Sequence, residues 1–224
     1  MDSNSILYNN PLTVNGIKMS LIFNAVGRKP DIREIKLHLG EQKSAAFLAI
    51  NPEGKIPVLL DEGQVFTESM AILHYLANKY QSSLWPKSPA LQSQTLKWLF
   101  WLSGRWNSAA MPFAHRRVVL PAWGFPDVED VSSDVQAEFN NLAGQLDVQL
   151  SDKAFLCGDD VTLADLACGS YLIFQEQARI PIEEHDSLYR WFGRLKEFSW
   201  WRDTESSLNE SLSEFTQGAQ SASQ

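Results

Sequence analysis

The sequence predicts a two-domain chain in which an α/β half is followed by an all-α half. Over residues 1–80, strand and helix signals alternate in the order β-α-β-α-β-β-α. Residues 81–90 form a polar, proline-containing linker, and beyond it only helical periodicity continues, over residues 91–215. A switch from mixed to purely helical patterning within 224 residues is typical of two small domains.

The first strand and the first helix are marked by a turn and by helical spacing. Residues 5–8 form a short apolar run that ends at two asparagines and Pro11. From Thr13 onward, apolar side chains recur at intervals of three and four residues, which predicts a helix that begins there. Gly27 stands where a C-terminal cap is expected, and Pro30 follows it.

The next two elements are a strand and a short helix. Residues 31–39 alternate isoleucine and leucine with polar residues, which predicts a half-buried strand. Residues 44–50 predict a short helix. This helix has to end before Pro52, because the residue that precedes a proline avoids the α conformation.

A β-hairpin and a third helix complete the first half. Residues 56–60 form an apolar run that contains Pro57, so this strand lies at an edge or a bulge, or contains a cis peptide bond. Residues 61–64 predict the hairpin turn, 65–67 the return strand and 68–80 the helix. The predicted buried face of that helix consists of Ala71, Ile72, Tyr75 and Leu76.

The second half predicts five helices from apolar spacing. Pro112 and the segment 124–126 are expected to bend the chain between the first two. Residues 216–224 have almost no apolar content and predict a disordered tail. The five helices span residues 91–106, 131–150, 162–178, 187–198 and 201–215.

Composition and charge exclude several classes of protein. A hydrophobic content of 44% is typical of a globular chain. The net charge of −8 argues against binding to nucleic acids or anionic membranes, since such binding draws on Lys and Arg. No apolar run is long enough for a transmembrane helix, the start lacks a secretory signal, and two cysteines are too few for a disulfide framework. We therefore expect a cytoplasmic protein.

The sequence carries no familiar fingerprint of a nucleotide or metal site. It contains no P-loop, no G-x-G-x-x-G, no H-E-x-x-H, no G-x-S-x-G and no C-x-x-C. The run Glu-Glu-His-Asp at residues 183–186 is better explained as a solvated turn before a helix, because it lacks the spacing of metal ligands. We therefore expect neither a metal nor a nucleotide cofactor.

Three segments, in order along the chain, resemble the soluble glutathione transferases. Residues 51–59, NPEGKIPVL, resemble the N-P-x-G-K-[VI]-P-x-L segment of that family. Residues 66–76, FTESMAILHYL, resemble its L-x-E-S-x-A-I-x-x-Y-L segment, and residues 158–165, GDDVTLAD, resemble its G-x-x-x-[ST]-x-A-D capping box. The resemblance extends over residues 5–215, nearly the whole chain.

The resemblance implies a fold and suggests a subclass. It implies a thioredoxin-like N-terminal domain with Pro57 in the cis form, a C-terminal helical bundle, and a homodimer. Residues 8–18, YNNPLTVNGIK, are similar to the P-T-x-N-G-x-K start of the bacterial nu-class transferases and their fungal prion-like relatives, although here the proline precedes Thr13 by two positions. Residues 96–101, LKWLFW, are similar to the L-Q-W-L-F-W stretch of the same class. Asn9 occupies the place of the tyrosine in the tyrosine-type classes.

The chemistry that the resemblance implies depends on a thiolate. A free thiol has a pKa of about 8.5, and the N-terminus of a helix favours its anion. The resemblance implies that Thr13 donates its hydroxyl to the glutathione sulfur and that Asn15 adds an amide donor, which makes both residues catalytic candidates. Thr13 is also an ordinary N-cap residue, and Asn9 or a backbone amide are alternative donors.

Glutathione, the co-substrate that the resemblance implies, needs partners for two carboxylates and an ammonium group. Ser69 is expected to hold the γ-glutamyl carboxylate at a helix start, and Glu68 the ammonium, although both residues also suit an ordinary helix N-terminus. The backbone of Ile56 is expected to pair with the cysteinyl part, and the loop residues Lys55 and Gln42 are expected to hold the glycine carboxylate. The candidate glutathione-binding residues are therefore Gln42, Lys55, Ile56, Pro57, Glu68 and Ser69.

The helical domain is expected to supply the pocket for a hydrophobic electrophile. A large apolar wall with one cation suits a flat or an anionic co-substrate, although for Trp98 and Trp101 core packing is the simpler explanation. The candidate pocket residues are Trp98, Trp101, Arg105, Trp106 and Phe113.

Other polar and sulfur-bearing residues of this domain have structural explanations. Thr162 and Asp165 form a capping box that serves folding. Cys157 and Cys168 are expected to be buried small hydrophobic residues.

Three functions remain open from the sequence. The first is a glutathione transferase, in which the thiolate attacks an electrophilic carbon. The second is a glutathione-dependent disulfide or peroxide reductase, in which two glutathione molecules do the redox work. The third is a non-catalytic binding or regulatory module, since a fold does not determine a function.

Overall fold

A computed structural model describes residues 5–125 and 128–222 of the chain. The first half contains strands β1 to β4 and helices α1 to α3, and the second half contains helices α4 to α10. In chain order these are β1 (Ile6–Asn9), α1 (Val14–Ala25), β2 (Asp31–Glu34), α2 (Ala45–Leu48), β3 (Val58–Asp61), β4 (Gln64–Phe66), α3 (Ser69–Lys79), α4 (Pro89–Trp101), α5 (Asn107–Ala114), α6 (Leu120–Ala122), α7 (Ser133–Gln149), α8 (Leu163–Gly169), α9 (Asp186–Lys196) and α10 (Ser199–Ala222). The α/β half followed by an all-helical half confirms the predicted fold class.

The four strands form one mixed sheet in the order β2-β1-β3-β4. Strand β1 runs parallel to β2 and antiparallel to β3, and β3 and β4 form an antiparallel hairpin. This is the thioredoxin-like arrangement. The Ile56–Pro57 bond just before β3 is cis, as the resemblance implied.

The second strand is shorter and more exposed than the sequence predicted. Strand β2 covers only Asp31–Glu34, and all four residues are exposed, with Ile32 at 58%. Among the described residues β2 pairs with β1 alone, and the ladder ends where Asn9 pairs with Glu34. Beyond it the chain forms short 3₁₀ segments at Leu37–Leu39 and Glu41–Lys43.

The buried face of helix α3 overlaps the predicted one but is rotated away from Ala71. Ile72 and Leu76 are fully buried as expected, and Leu73 is buried with them. Ala71 is exposed, because it lies about 100° around the helix from Ile72 on the outer side. Helices α1 and α3 pack together beneath the sheet.

The second half begins with a helical run from residue 89 to 122. Helices α4, α5 and α6 follow one another through two wide π-helical turns, Leu102–Trp106 and His115–Val119. Pro112, predicted to bend the chain, lies inside α5. A proline inside a helix displaces the backbone hydrogen bonds of the preceding turn, and π turns are one way in which a helix absorbs such a shift. The run ends at Gly124, whose φ of 88° is left-handed. Pro126 lies outside the described residues.

Two other predicted helix limits differ from the structure. The helix predicted over 162–178 ends at Gly169, and the chain continues in turns to residue 179. Residues 170–175 are buried, so packing and not amphipathic spacing determines their backbone. Residues 216–222, predicted to belong to a disordered tail, continue α10, because extending an established helix costs little per residue.

One hydrophobic core joins the two halves. Helix α1 packs against α8 and α10 of the helical half as well as against α3. Large side chains from both halves, such as Phe23, Trp106 and Trp201, belong to the same buried cluster. Among the described residues, no helix is both long enough and apolar enough to cross a membrane.

Candidate functional site

The start of α1 opens onto a cavity of about 290 Å³ between the two halves. The wall on the side of the first half is formed by the loop before α1, the first turn of α1 and the 3₁₀ segment after β2. Its other wall comes from α5 and the π turn that follows it. The lining residues are Leu12, Thr13, Val14, Asn15, Leu37, Asn107, Met111, Ala114, His115, Val119 and Trp123.

Thr13 is the N-cap of α1. Its Oγ1 accepts a hydrogen bond from the Gly16 amide at 3.0 Å and donates one to the Asn10 carbonyl at 3.0 Å. Both the donor and an acceptor position of this hydroxyl are therefore used within the turn itself. Because the amides of the first helical turn have no intrahelical acceptor, the helix still presents free N–H groups beside Thr13.

Asn15, on the first turn of α1, lines the cavity, and its amide oxygen is held by the protein. Its Oδ1 accepts from Lys18 Nζ at 2.8 Å and from Ser69 Oγ at 3.1 Å. Both Lys18 Nζ and Ser69 Oγ donate to this atom, so this side of the amide carries the oxygen. The side chain is exposed and lines the cavity, and Nδ2 has no hydrogen-bond partner within the described chain.

Asn9, the alternative donor, is not part of the cavity wall. It is 3% exposed and donates from Nδ2 to the Gly16 carbonyl at 3.3 Å. Its role is to hold the turn against the first residues of α1. A Cβ at Gly16 would lie 1.9 Å from the Asn10 carbonyl oxygen, so only glycine allows this approach.

The predicted glutathione-binding residues lie in three places. Ser69, the first residue of α3, is buried and contacts Asn15 directly, and Glu68 precedes it with a left-handed φ of 64°. Ile56 is half-buried and Pro57 is buried at the cis bond.

The two loop candidates for the glycine carboxylate differ in their surroundings. Lys55 is exposed and forms an ion pair with Glu53 at 3.1 Å. Gln42 donates to the Leu37 carbonyl at 3.4 Å, which ties it to a residue of the cavity wall, and its Oε1 is buried without a partner in the described chain. Of the two, Gln42 is the one with a hydrogen bond to a residue that lines the cavity.

The five residues predicted to line an electrophile pocket do not line this cavity. Trp98, Trp106 and Phe113 are at most 5% exposed and belong to the hydrophobic core. Trp101 packs between Trp98 and Trp106, with ring centroids at 5.2 and 6.0 Å, and Arg105 is exposed. These residues were selected by type and not by the face of the helix on which they lie, and the electrophile pocket assigned to them stays a prediction.

The residues that the sequence analysis missed share one face of the helical run. Asn107, Met111, Ala114 and His115 recur at intervals of three and four residues, which places them on one side of α5. Phe113 lies on the far, buried side of the same helix. Helical spacing counted from Asn107 contains this signal, but nothing in the sequence says which face meets the first domain.

Among the described residues that line the cavity, none is charged near neutral pH. Burial lowers the pKa of His115, and the neighbouring Arg116 lowers it further, so its imidazole is neutral at pH 7. The indole Nε1 of Trp123 is buried and has no acceptor in the described chain. His38 stacks on Trp123, with ring centroids 5.7 Å apart. The described residues contain no cluster of metal ligands.

Comparison with known families matches both halves of the chain. The model of the glutathione S-transferase N-terminal domain matches residues 3–78, and the model of the C-terminal domain matches residues 107–197.

Curated relatives are similar over most of the chain. Glutathione S-transferase F10 of Arabidopsis thaliana is 31% identical over 75% of this chain and 81% of its own length. Glutathione S-transferase 3 of Zea mays is 35% identical over 71% of this chain and 72% of its own. The disulfide-bond oxidoreductase YghU of Escherichia coli is 33% identical over 69% of this chain and 56% of its own.

Solved structures share the fold. Glutathione transferase F7 of Populus trichocarpa has a TM-score of 0.81 at 21% identity and covers 91% of this chain and 99% of its own. The apo structure of glutathione S-transferase III has a TM-score of 0.79 at 26% identity, over 91% of this chain and 96% of its own.

Proposed function

This chain belongs to the glutathione S-transferase family, and we propose from that premise that it binds glutathione at the start of α1 and activates its thiol as a nucleophile. The observation that carries the proposal is the contact between Asn15 and Ser69 beside the cavity. It brings a free amide donor and the N-terminus of α3 to one place.

The proposed reaction needs a thiolate and a dry space for its partner. The thiol gives up its proton to solvent, and the sulfur anion is held by the N-terminus of α1 and by Asn15 Nδ2. The sulfur lone pair then attacks an electrophilic carbon, and the bond to the leaving group breaks. We assign the side-chain donation to Asn15 and the shaping of the turn to Thr13, whose hydroxyl proton is directed to Asn10.

The other parts of glutathione follow the elements around that donor. The buried Ser69 and the first amides of α3 suit the γ-glutamyl carboxylate, with Glu68 for the ammonium group. The backbone of Ile56, before the cis Pro57, suits the cysteinyl part. Gln42, with its tie to Leu37, suits the glycine carboxylate better than Lys55, which already has Glu53 as a partner.

The cavity favours a small, uncharged electrophile. Its wall is largely apolar, His115 is neutral, and Arg105 lies outside it. A volume of about 290 Å³ is at the lower end of the usual range for small-molecule sites. A charged co-substrate would therefore lose its hydration without gaining a partner of opposite charge.

The second candidate function is the reduction of disulfides by two glutathione molecules. A disulfide-bond oxidoreductase is among the relatives, which favours this alternative. Cys157 and Cys168 are both buried, and burial raises the pKa of each thiol, so the electrons would come from glutathione and not from the protein.

Calorimetry and two turnover assays test these functions. We expect glutathione binding, together with turnover of an uncharged chloronitrobenzene. Faster turnover of hydroxyethyl disulfide would favour the reductase. Binding without either turnover would favour the non-catalytic module, and the absence of binding would overturn the proposal.

A homodimer is the assembly we propose. Leu96 and Phe100 are one turn apart on α4 and are exposed, Phe100 by 74%. Light scattering is expected to give twice the mass of 25.3 kDa for the chain, and Phe100→Asp is expected to shift it toward the monomer. A monomeric wild-type protein would contradict this assembly.

A further inference from the structure

Lys18 is a buried amine directly behind the proposed thiolate site. It lies one turn after Asn15 on α1, its side chain is fully buried, and Nζ donates to Asn15 Oδ1 at 2.8 Å. The same Nζ contacts the hydroxyl of Tyr171 at 3.2 Å and lies 4.3 Å from the centre of its ring. Asn15 therefore stands between this amine and the cavity.

No acidic group balances this amine in the described chain. The titratable groups that face it are Cys168 of α8 and Tyr171 of the following turn, and burial raises the pKa of both, so both stay neutral. Helix α3 contributes the hydroxyl of Ser69, which meets the same Asn15 oxygen. Within the part of the chain that is described, α10 gives Lys18 no charged partner.

A buried ammonium group without a counter-charge is costly, because it loses its hydration. Burial accordingly lowers the pKa of Lys18 to about 7, against the smaller, opposite influence of Cys168. A negative charge that arrives nearby reverses this balance, since an opposite charge favours the ionised form. A thiolate bound to Asn15 Nδ2 would lie on the far side of a single amide from Nζ.

We propose that Lys18 is a positioning residue and the counter-charge of the glutathione thiolate: it fixes the Asn15 amide toward the sulfur, and its amine takes up a proton when the thiol loses one. This inference rests on the proposed function. The S–H bond breaks, its proton leaves to solvent, and the amine gains a proton from solvent, so the site changes by little net charge.

The proposal explains why the oxygen of Asn15 has two donors. Lys18 and Ser69 come from different helices and hold the same atom, which leaves the two Nδ2 protons for the ligand. The Lys18 amine also links the two halves of the molecule, because its Nζ contacts the hydroxyl of Tyr171 in the helical half.

The first test replaces Lys18 with methionine, an unbranched side chain that is one atom shorter, carries no charge and suits a buried site. Ultraviolet absorbance of the bound thiolate is followed against pH in wild type, Lys18→Met and Lys29→Met. The matched control, Lys29, is an exposed lysine in the same domain. We expect Lys18→Met to raise the pKa of the bound thiol by about 1 unit and Lys29→Met to leave it unchanged.

Affinity for S-methylglutathione distinguishes the loss of the Lys18 charge from a general loss of the folded binding site. This ligand carries no ionisable thiol, so its dissociation constant is expected to be the same in wild type and Lys18→Met. An unchanged thiol pKa in a folded Lys18→Met that binds both ligands overturns the inference and leaves the proposed function standing.

The second test uses the wild-type protein and does not depend on the folding of a variant. Calorimetry in buffers of different ionisation enthalpy counts the protons released when glutathione binds at about pH 8, and absorbance counts the thiolate formed. We expect fewer protons released than thiolate formed, because Lys18 takes up part of them. Equal numbers overturn the inference, while the absence of any binding overturns the proposed function itself.

Discussion

Thr13 and Asn15 are two residues apart but hold different hydrogen bonds. The Thr13 hydroxyl is engaged on both sides within the turn, whereas the Asn15 amide nitrogen faces the cavity. The helix cap and the proposed sulfur donor are therefore separate residues. The sequence pattern alone left Thr13, Asn9, Asn15 and the backbone as alternatives, because it does not give the direction of a side chain.

Asn15→Ala and Thr13→Ala are expected to affect different quantities. Asn15→Ala should raise the pKa of the thiol of bound glutathione by about 1 unit, because the thiolate loses a hydrogen-bond donor. Thr13→Ala should shift that pKa less and lower the free energy of unfolding by about 1 kcal/mol, while Thr13→Ser keeps the cap. Thiolate absorbance and urea unfolding measure the two effects, and a larger pKa shift in Thr13→Ala would reverse the assignment.

Ser69→Ala is expected to weaken glutathione binding without changing the pKa of the bound thiol. The loss of a hydrogen bond to a carboxylate should raise the dissociation constant about tenfold. Lys18 still holds Asn15 Oδ1 in this variant, so the pKa of the bound thiol should change little. Calorimetry and a pH titration measure both quantities, and a shifted pKa with unchanged affinity would refute this division of roles.

At the scale of the element, the cap of α8 confirms the capping box predicted from Thr162 and Asp165. Asp165 is fully buried, and its two oxygens accept from the amides of Thr162 and Leu156 and from the Trp191 indole at 2.8–2.9 Å. One carboxylate thus closes the start of α8 and ties it to α9. These hydrogen bonds satisfy the carboxylate and its buried donors, although burial raises the pKa of Asp165.

Asp165→Ala is expected to cost about 3 kcal/mol of unfolding free energy, because it removes the cap and leaves buried donors without an acceptor. The exposed Asp160, in the loop before α8, provides a matched control. Asp160→Ala should change stability by less than about 0.5 kcal/mol. Equal urea midpoints for the two variants would contradict the structural role of this carboxylate.

At the scale of the whole molecule, the proposed site exists only where the halves meet. Thr13 and Asn15 come from the first half, and Met111, His115 and Trp123 come from the second. The core that spans both halves holds this geometry, since α1 packs against α8 and α10. The glutathione side and the electrophile side can therefore be perturbed separately.

Met111→Trp is expected to fill the cavity and raise KM for an uncharged electrophile about tenfold or more, with glutathione affinity unchanged. Trp101→Phe is the matched control, because Trp101 does not line the cavity and packs on Trp98 and Trp106. Its KM should equal that of wild type. If Trp101→Phe instead raised KM and Met111→Trp did not, the original aromatic pocket would be correct.

The sequence by itself determined the order of the elements in the first half, the cap at Thr13, the capping box at Thr162 and the cis bond that the motif around Pro57 implied. These features depend on local spacing or on short motifs, which a single segment encodes completely. It also identified Ser69 and Asn15 as candidates, and the structure brings the two together.

Only the tertiary structure decided which face of the helical run borders the cavity, how the run passes Pro112, and which side of the Asn15 amide faces outward. Each depends on residues distant along the chain. Lys18 meets Tyr171 across 153 positions, and Asn15 meets Ser69 across 54. A helix buries whichever face its partner covers, and the identity of that partner is not written in the helix's own periodicity.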